Sequence, residues 1–200
     1  MVFKIAYLYL KRQSRTGSGK RMARNKRHVE QKIKREEIEA VAMALFKEQG
    51  YEKTSMSSVA KAAGVAANTI YWYYENKDDL LIAVLNREVM QAMPQVIAMQ
   101  NAPLTERVLK LIEQFESSGS LMTDVHSRVS HSEVVRNWHD RFHQMVEQLS
   151  VSELIKAGLE PAAAQLDARL MVYVIEGLLA HPHTMEERVQ VVEHALGKLV

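Results

Sequence analysis

Residues 54–77, TSMSSVAKAAGVAANTIYWYYENK, decide how this chain folds. Two short helical stretches flank the turn Ala63-Gly64-Val65. Ser55 is placed to N-cap the first, its hydroxyl accepting a first-turn amide. Val59, Ala62 and Ala63 fall at i, i+3 and i+4, a narrow face of small apolar residues that lets a second helix approach closely. Gly64 follows the helix end, where a left-handed backbone is cheap for glycine alone, and Val65 plugs the corner. On a second helix starting near Ala67, Ile70 and Tyr74 share one face, while Asn68, Thr69, Tyr71 and Trp72 point elsewhere. A helix that short cannot bury Tyr71, Trp72, Tyr73 and Tyr74 together. A two-helix corner with polar and aromatic side chains left on its free face suits the major groove of DNA.

Working outward, an amphipathic helix over roughly Val29 to Gln49 precedes the corner, with Ile38, Val41, Ala42 and Leu45 on one stripe. Gly50-Tyr51 reads as its stop, the tyrosine folding back on the last turn. After the corner, Asn76 caps a helix that opens with Asp78 and Asp79, where acidic groups suit the helix dipole. Lys77 at that start is electrostatically unfavourable unless it meets an external phosphate.

The stretch from Glu36 to Leu81 resembles the DNA-binding domain of the TetR family of bacterial regulators. The resemblance rests on Gly50-Tyr51, Thr54-Ser55, Val59-Ala60, Ala63-Gly64-Val65, Thr69-Ile70-Tyr71, Tyr74, Lys77 and Leu80-Leu81. It implies an all-α protein: an N-terminal three-helix helix-turn-helix domain, then a helical ligand-binding and dimerisation domain. It also implies a double-stranded DNA operator, a homodimer and a small-molecule effector. Thr54 and Ser55 are expected among the DNA contacts, and Thr69, Tyr71 and Lys77 on the DNA backbone. Asn68, Trp72 and Tyr73 are expected at base edges or thymine methyls, with Ala67 adding an apolar contact. Two residues depart from the family pattern: Ala66 stands where a Ser or Thr cap is usual, at a cost of about 1 kcal/mol, and Ala62 replaces a commonly charged residue.

The net charge of +2 conceals an asymmetry. Residues 1–35 carry twelve Lys or Arg against the single acid Glu30, so the rest of the chain is net acidic. A basic leader on an acidic body places positive charge at the DNA-facing end. Residues 1–29 are therefore expected to be a disordered basic leader, 30–77 the DNA-binding domain and 78–200 the regulatory domain. The leader reads equally as a translated extension ahead of Met22 or as a DNA-contacting arm. It lacks the charge order and cleavage site of a signal peptide. The absence of cysteine excludes disulfides, thiolate zinc sites and cysteine nucleophiles, and fits a cytoplasmic location. No apolar run reaches 18 residues, so no membrane span is expected.

Beyond Asp78 the chain reads as successive helices. The expected spans are Asp78 to Met93 (stopped by Pro94), Leu104 to Ser117, Leu121 to Val129, Ser132 to Leu149, Ser152 to Ala157, Pro161 to Ala180 and Met185 to Leu199. The last two carry the expected dimer stripes: Leu166, Leu170, Tyr173, Val174, Gly177 and Leu178 on one, Val189, Val192 and Leu196 on the other. The competing reading is that both stripes serve only the core of their own domain. On the helix from Ser132, Val135, Trp138, His139, Phe142 and Val146 fall within a third of the circumference. They are the expected wall of a largely apolar effector pocket, completed by Met93, Phe115 and Met122. The competing reading is ordinary core.

Catalysis has little support. His139 and His143, four apart with Asp140 and Glu147 nearby, have metal-ligand spacing, but no third ligand is evident, and His126 or His131 would join only by the accident of folding. No cofactor or metal is expected. No serine sits in a Gly-x-Ser-x-Gly turn. The alternatives to a ligand-released repressor are a constitutive DNA-binding protein and a metal-dependent enzyme using His139 and His143.

Overall fold

A computed structural model describes residues 22–99, 101–117, 119 and 121–197, with side chains described from Val29. Of the leader expected over residues 1–29, residues 1–21 lie outside the described residues, and residues 22–29 belong to a helix rather than to a disordered segment. Among those described there is no strand, and the chain forms helices throughout. They are α1 (Met22–Gln49), α2 (Met56–Ala62), α3 (Ala67–Tyr73), α4 (Lys77–Ala98) and α5 (Leu104–Glu116), followed by α6 (Leu121–Val129), α7 (Glu133–Lys156), α8 (Pro161–Ala180) and α9 (Met185–Gly197).

The first three helices form the expected corner. Ser55 N-caps α2 in a reciprocal box with Ser58: each side chain accepts the other's backbone N–H at 3.0 Å. Gly64 adopts φ +64° and turns the chain toward α3, whose N-cap Ala66 makes no side-chain hydrogen bond, as its missing hydroxyl requires. Ile70 and Tyr74 are buried while Tyr71 and Trp72 are exposed. On α1 the fully buried positions are Ile38, Ala42 and Phe46. The expected Val41 and Leu45 lie at the margin of the stripe, because Phe46 turns inward to meet the Tyr51 ring, 5.5 Å between centroids.

Three boundaries differ from the sequence reading. α1 begins at Met22 rather than near Val29. α4 runs through Pro94 to Ala98. Proline removes one backbone donor, yet Ala92, Met93 and Val96 are buried on either side of it, and that packing holds the helix together. α7 is one helix to Lys156 rather than two, because Leu149 and Leu154 are both buried across the expected break.

The apolar core has two parts. The larger runs from Ile38, Phe46 and Ile70 through Leu80, Leu81 and Val84 to Phe115, Leu121 and Trp138, so α4 carries one hydrophobic seam out of the corner and into the bundle. The smaller packs Val108 and Ile112 of α5 against Leu154 of α7, Ala164, Ala168, Met171 and Leu178 of α8, and Val192 and Leu196 of α9. Leu178, Val192 and Leu196, expected at a dimer surface, are therefore core of their own domain: each is at most 9 % exposed.

Gly64 tests the corner. A Cβ built there meets nothing within 4 Å, so Gly64→Ala should cost only the left-handed backbone term, about 1–2 kcal/mol. Urea denaturation would measure it; a change below a few tenths would mean that the turn relaxes without cost.

Candidate nucleic-acid interface and effector pocket

The outer face of α3 is built by subtraction. Ile70 and Tyr74 are consumed by the core, and the Tyr74 hydroxyl donates to Glu39 of α1 at 2.8 Å. Burial and the neighbouring Glu39 carboxylate push the Tyr74 phenol well above its usual range, so it stays protonated as a donor. What remains outward is Ala67, Asn68, Tyr71 and Trp72, with Thr69 half-buried. Trp72 is 68 % exposed, far beyond what an indole without an external partner needs. Tyr73 is half-buried on the core, its ring edge-on to Trp72 at 5.5 Å, so it props the tryptophan rather than projecting outward.

Two expected DNA contacts have hydrogen-bond partners within the protein. Thr54 is 1 % exposed, and its hydroxyl donates to the Gly50 carbonyl at 2.9 Å, so it closes the turn after α1 and cannot reach a phosphate. Lys77 is not a lysine held free beside helix amides. Its ammonium donates to the carbonyls of Tyr51 at 2.9 Å and Glu52 at 3.3 Å and lies 4.1 Å from the Tyr51 ring centroid. It brackets α4 to the turn and keeps one donor for other use. Ser55 remains exposed at the start of α2.

This corner is fastened to the rest of the molecule by α6. The Tyr51 N–H donates to Asp124 Oδ2 at 3.2 Å, and the Tyr51 hydroxyl donates to Asp78 at the start of α4. Arg128 grips the same carboxylate with two donors, at 2.9 and 3.3 Å. Burial raises the Asp78 pKa, but hydrogen bonds from Arg128, Tyr51 and Ser132 outweigh it and hold the carboxyl below its ordinary 3.8.

The expected pocket forms between α5, α6, α7 and α8. Phe115, Met122, Trp138, His139, Phe142 and Val146 line it. Met93 and Val135 do not; both are enclosed in the main core, because α4 and the start of α7 meet there directly. Sequence reasoning missed Leu111, His126, His143, Val172, Ile175, Glu176 and Leu179. The α8 members repeat at i, i+3, i+4 and i+7, a second stripe on a helix whose apolar residues had been assigned to dimerisation. Trp138 and Phe142 stack at 5.2 Å with rings 4° from parallel, and the indole N–H donates to Asn86 of α4 at 2.9 Å. The cavity holds about 40 Å³, against several hundred for a typical small-molecule site.

One wall is polar. The histidine pair does acquire further partners: His126 from α6 and Glu176 from α8 converge on His139 and His143, one ligand-capable atom from each lying within 4.8 Å of the others. Glu176 Oε1 lies 2.7 Å from His143 Nε2, 3.0 Å from His126 Nε2 and 3.8 Å from His139 Nε2. Burial and the neighbouring His139 hold His143 below the usual imidazole pKa, against the pull of Glu176.

Residues 38–84 match the model for bacterial regulatory proteins of the tetR family. They form a tetR-family DNA-binding domain. Among curated proteins this stretch is similar to the HTH-type transcriptional regulator AcrR of Shigella flexneri, 48 % identical over 46 residues, 23 % of this chain and 21 % of that protein. The fatty acid metabolism regulator protein of Bacillus subtilis is 42 % identical over 50 residues, covering 25 % of this chain and 26 % of that one. These sequence matches thus span about a quarter of the relatives. The architecture extends further. A Rhodococcus transcriptional regulator superposes with TM-score 0.66 at 19 % identity over 82 % of this chain and 92 % of its own. NalD, the secondary repressor of the MexAB-OprM multidrug efflux pump in Pseudomonas aeruginosa, does so with TM-score 0.59 at 23 % identity, over 85 % and 95 %. The tetR-family domain thus sits on a bundle with the fold of these regulators. Among the described residues no helix is long and apolar enough to cross a membrane.

Asp78 gives the fastening a pH signature. Its folded-state pKa is depressed, so its contribution is complete above the ordinary value of 3.8 and is lost as pH falls through the folded value. Asp78→Asn should lower the denaturation midpoint at pH 7 and flatten its decline below pH 4. An unchanged acid limb would mean that the Arg128 grip carries no stability.

Proposed function

We propose that the chain is a DNA-binding transcriptional regulator, acting in the cytoplasm as a homodimer and as a repressor that leaves a palindromic operator when a ligand fills the pocket. The observation that carries this reading is the free face of α3: Asn68, Tyr71 and Trp72 lie outward on a tetR-family corner whose other side chains are spent on packing. In this arrangement Asn68, Trp72 and Ala67 approach base edges and thymine methyls, while Ser55, Thr69 and Tyr71 meet the backbone. The remaining donor of Lys77 is available to a phosphate.

Trp72 is exposed and stabilises nothing in the free protein. Trp72→Ala should leave the denaturation midpoint within about 0.5 kcal/mol and weaken a duplex selected from a random pool by about 1–3 kcal/mol, without changing the salt slope. Discrimination between selected and scrambled duplexes reduced by the same amount relative to wild type is the expected result. Retained discrimination would remove Trp72 from the base-reading face.

Dimerisation is read from the apolar residues that α8 leaves outside. Leu166, Leu170 and Tyr173, at 67, 48 and 61 % exposure, repeat at i, i+4 and i+7. Val174, Gly177 and Val189 are half-buried, and Val191 and Met185 of α9 extend the exposed surface. A twofold contact through this face sets two α3 helices toward one side of a duplex, at half-sites about 34–36 Å apart or a further turn on. Leu170→Glu should then give a folded monomer in sedimentation, whereas Leu178→Glu, inside the smaller core, should unfold the bundle. A dimeric Leu170→Glu protein would place the contact elsewhere.

Ligand release follows from the connections of the pocket. Trp138 joins it to α4 through Asn86, and α6 joins it to Tyr51 and Asp78. A ligand that favours one spacing of α6, α7 and α8 biases the orientation of the corner; one with equal affinity for both spacings does nothing.

A further inference from the structure

We propose that His126, His139, His143 and Glu176 form a binding site for one late first-row divalent metal ion of the Zn²⁺ type, and that its occupancy is communicated to the DNA-binding domain through α6. The ligands come from three helices: His126 from α6, the i,i+4 pair His139 and His143 from α7, and Glu176 from α8. Three imidazoles and one carboxylate are a donor set for Zn²⁺, Co²⁺, Ni²⁺ or Cu²⁺, and not for Mg²⁺ or Ca²⁺, which take oxygen.

Metal–ligand bonds of 2.0–2.2 Å at tetrahedral angles put ligand atoms about 3.3 Å apart. The three distances from Glu176 Oε1 to the imidazoles, 2.7, 3.0 and 3.8 Å, lie on either side of that figure. All four ligand atoms lie within 4.8 Å of one another, so approaches of at most about 1.5 Å complete the geometry. His139 adds an independent sign. Its Nε2 is buried without a hydrogen-bond partner, an arrangement normally costly for a ring nitrogen, and it faces the cluster. Its other nitrogen lies 3.3 Å from Asp140 Oδ1, the carboxylate contact that commonly orients a metal-ligating histidine. The cavity of about 40 Å³ has room for an ion and a water molecule.

The route outward is short. His126 lies between Asp124 and Arg128, the two residues by which α6 holds Tyr51 and Asp78. A change in the spacing of α6 and α7 at His126 therefore acts on the fastening of the corner. Only this last step rests on the DNA-binding reading.

The test uses the untagged full-length chain, stripped with EDTA and titrated with Co²⁺, then with Zn²⁺ as competitor. The expected result is one equivalent of Co²⁺ showing the intense visible bands of four-coordinate cobalt, displaced by one Zn²⁺. His143→Ala and Glu176→Gln should each weaken uptake by at least about 100-fold, since even outer-shell losses cost 10–100-fold, and His131→Ala should change nothing. Should His143→Ala fail to fold, His126→Gln gives the same readout from the exposed edge of the site. Only weak six-coordinate cobalt bands, or uptake unaffected by these variants, would overturn the site.

The second arm measures binding of a pool-selected duplex with and without Zn²⁺, expecting at least a tenfold change. Duplex binding without metal uptake would sink the site and leave the regulator standing. Metal uptake without duplex binding would do the reverse. Both activities with no influence of Zn²⁺ on the duplex would overturn transmission through α6.

Discussion

The use made of one residue, Tyr51, underlies the way this molecule holds together. Its N–H, its carbonyl, its hydroxyl and its ring are all engaged: Asp124 accepts from the first, Lys77 donates to the second, Asp78 accepts from the third, and Phe46 packs on the fourth. The partners belong to three segments: Asp124 to α6, Lys77 and Asp78 to the start of α4, and Phe46 to α1. Gly50 makes this possible, because its φ of +82° turns the chain sharply enough to bury the next side chain. Without that anchor the polar hold of α6 on the corner is reduced to Arg128 and Asp78, beside the hydrophobic seam along α4. Burial and the Asp78 carboxylate raise the Tyr51 phenol well above its usual range, so the hydroxyl remains a donor throughout the physiological range.

The corner was legible because its information is local. A serine cap, a glycine at a left-handed position and an uncapped alanine each act within a few residues, and the structure has all three; the packing face of α2 differs, with Val59 and Ala60 buried and Ala62 exposed. What escaped depends on the far side of a contact. Pro94 reads as a stop until buried neighbours on both sides are seen to hold the helix. Thr54 reads as a family DNA contact until its hydroxyl is found closing the Gly50 turn. Leu178, Val192 and Leu196 share helical faces with exposed residues, and only the packing of α5 and α7 against them separates core from surface. The histidine cluster was least legible, because its members lie on three helices and only tertiary folding brings them to one point.

α8 shows how one helix serves two purposes at once. Val172, Ile175, Glu176 and Leu179 look into the pocket, while Leu166, Leu170 and Tyr173 look out. Its mean composition is apolar all round, which ordinarily signals a fully enclosed helix; here the two apolar faces have different neighbours. Whatever rotates or displaces α8 to suit the pocket must also displace the outward stripe, so the two surfaces are geometrically inseparable.

The missing cap at Ala66 has an evolutionary consequence. α3 is seven residues long and has no side-chain cap, too short to persist as a helix on its own. It keeps its shape because Ile70 and Tyr74 are pinned from behind. The outward residues therefore contribute almost nothing to keeping the domain folded, and substitutions among Ala67, Asn68, Tyr71 and Trp72 are released from selection for stability. A lineage carrying this corner can vary its outward face by single replacements while the scaffold behind it stays constant, a separation of surface chemistry from foldability.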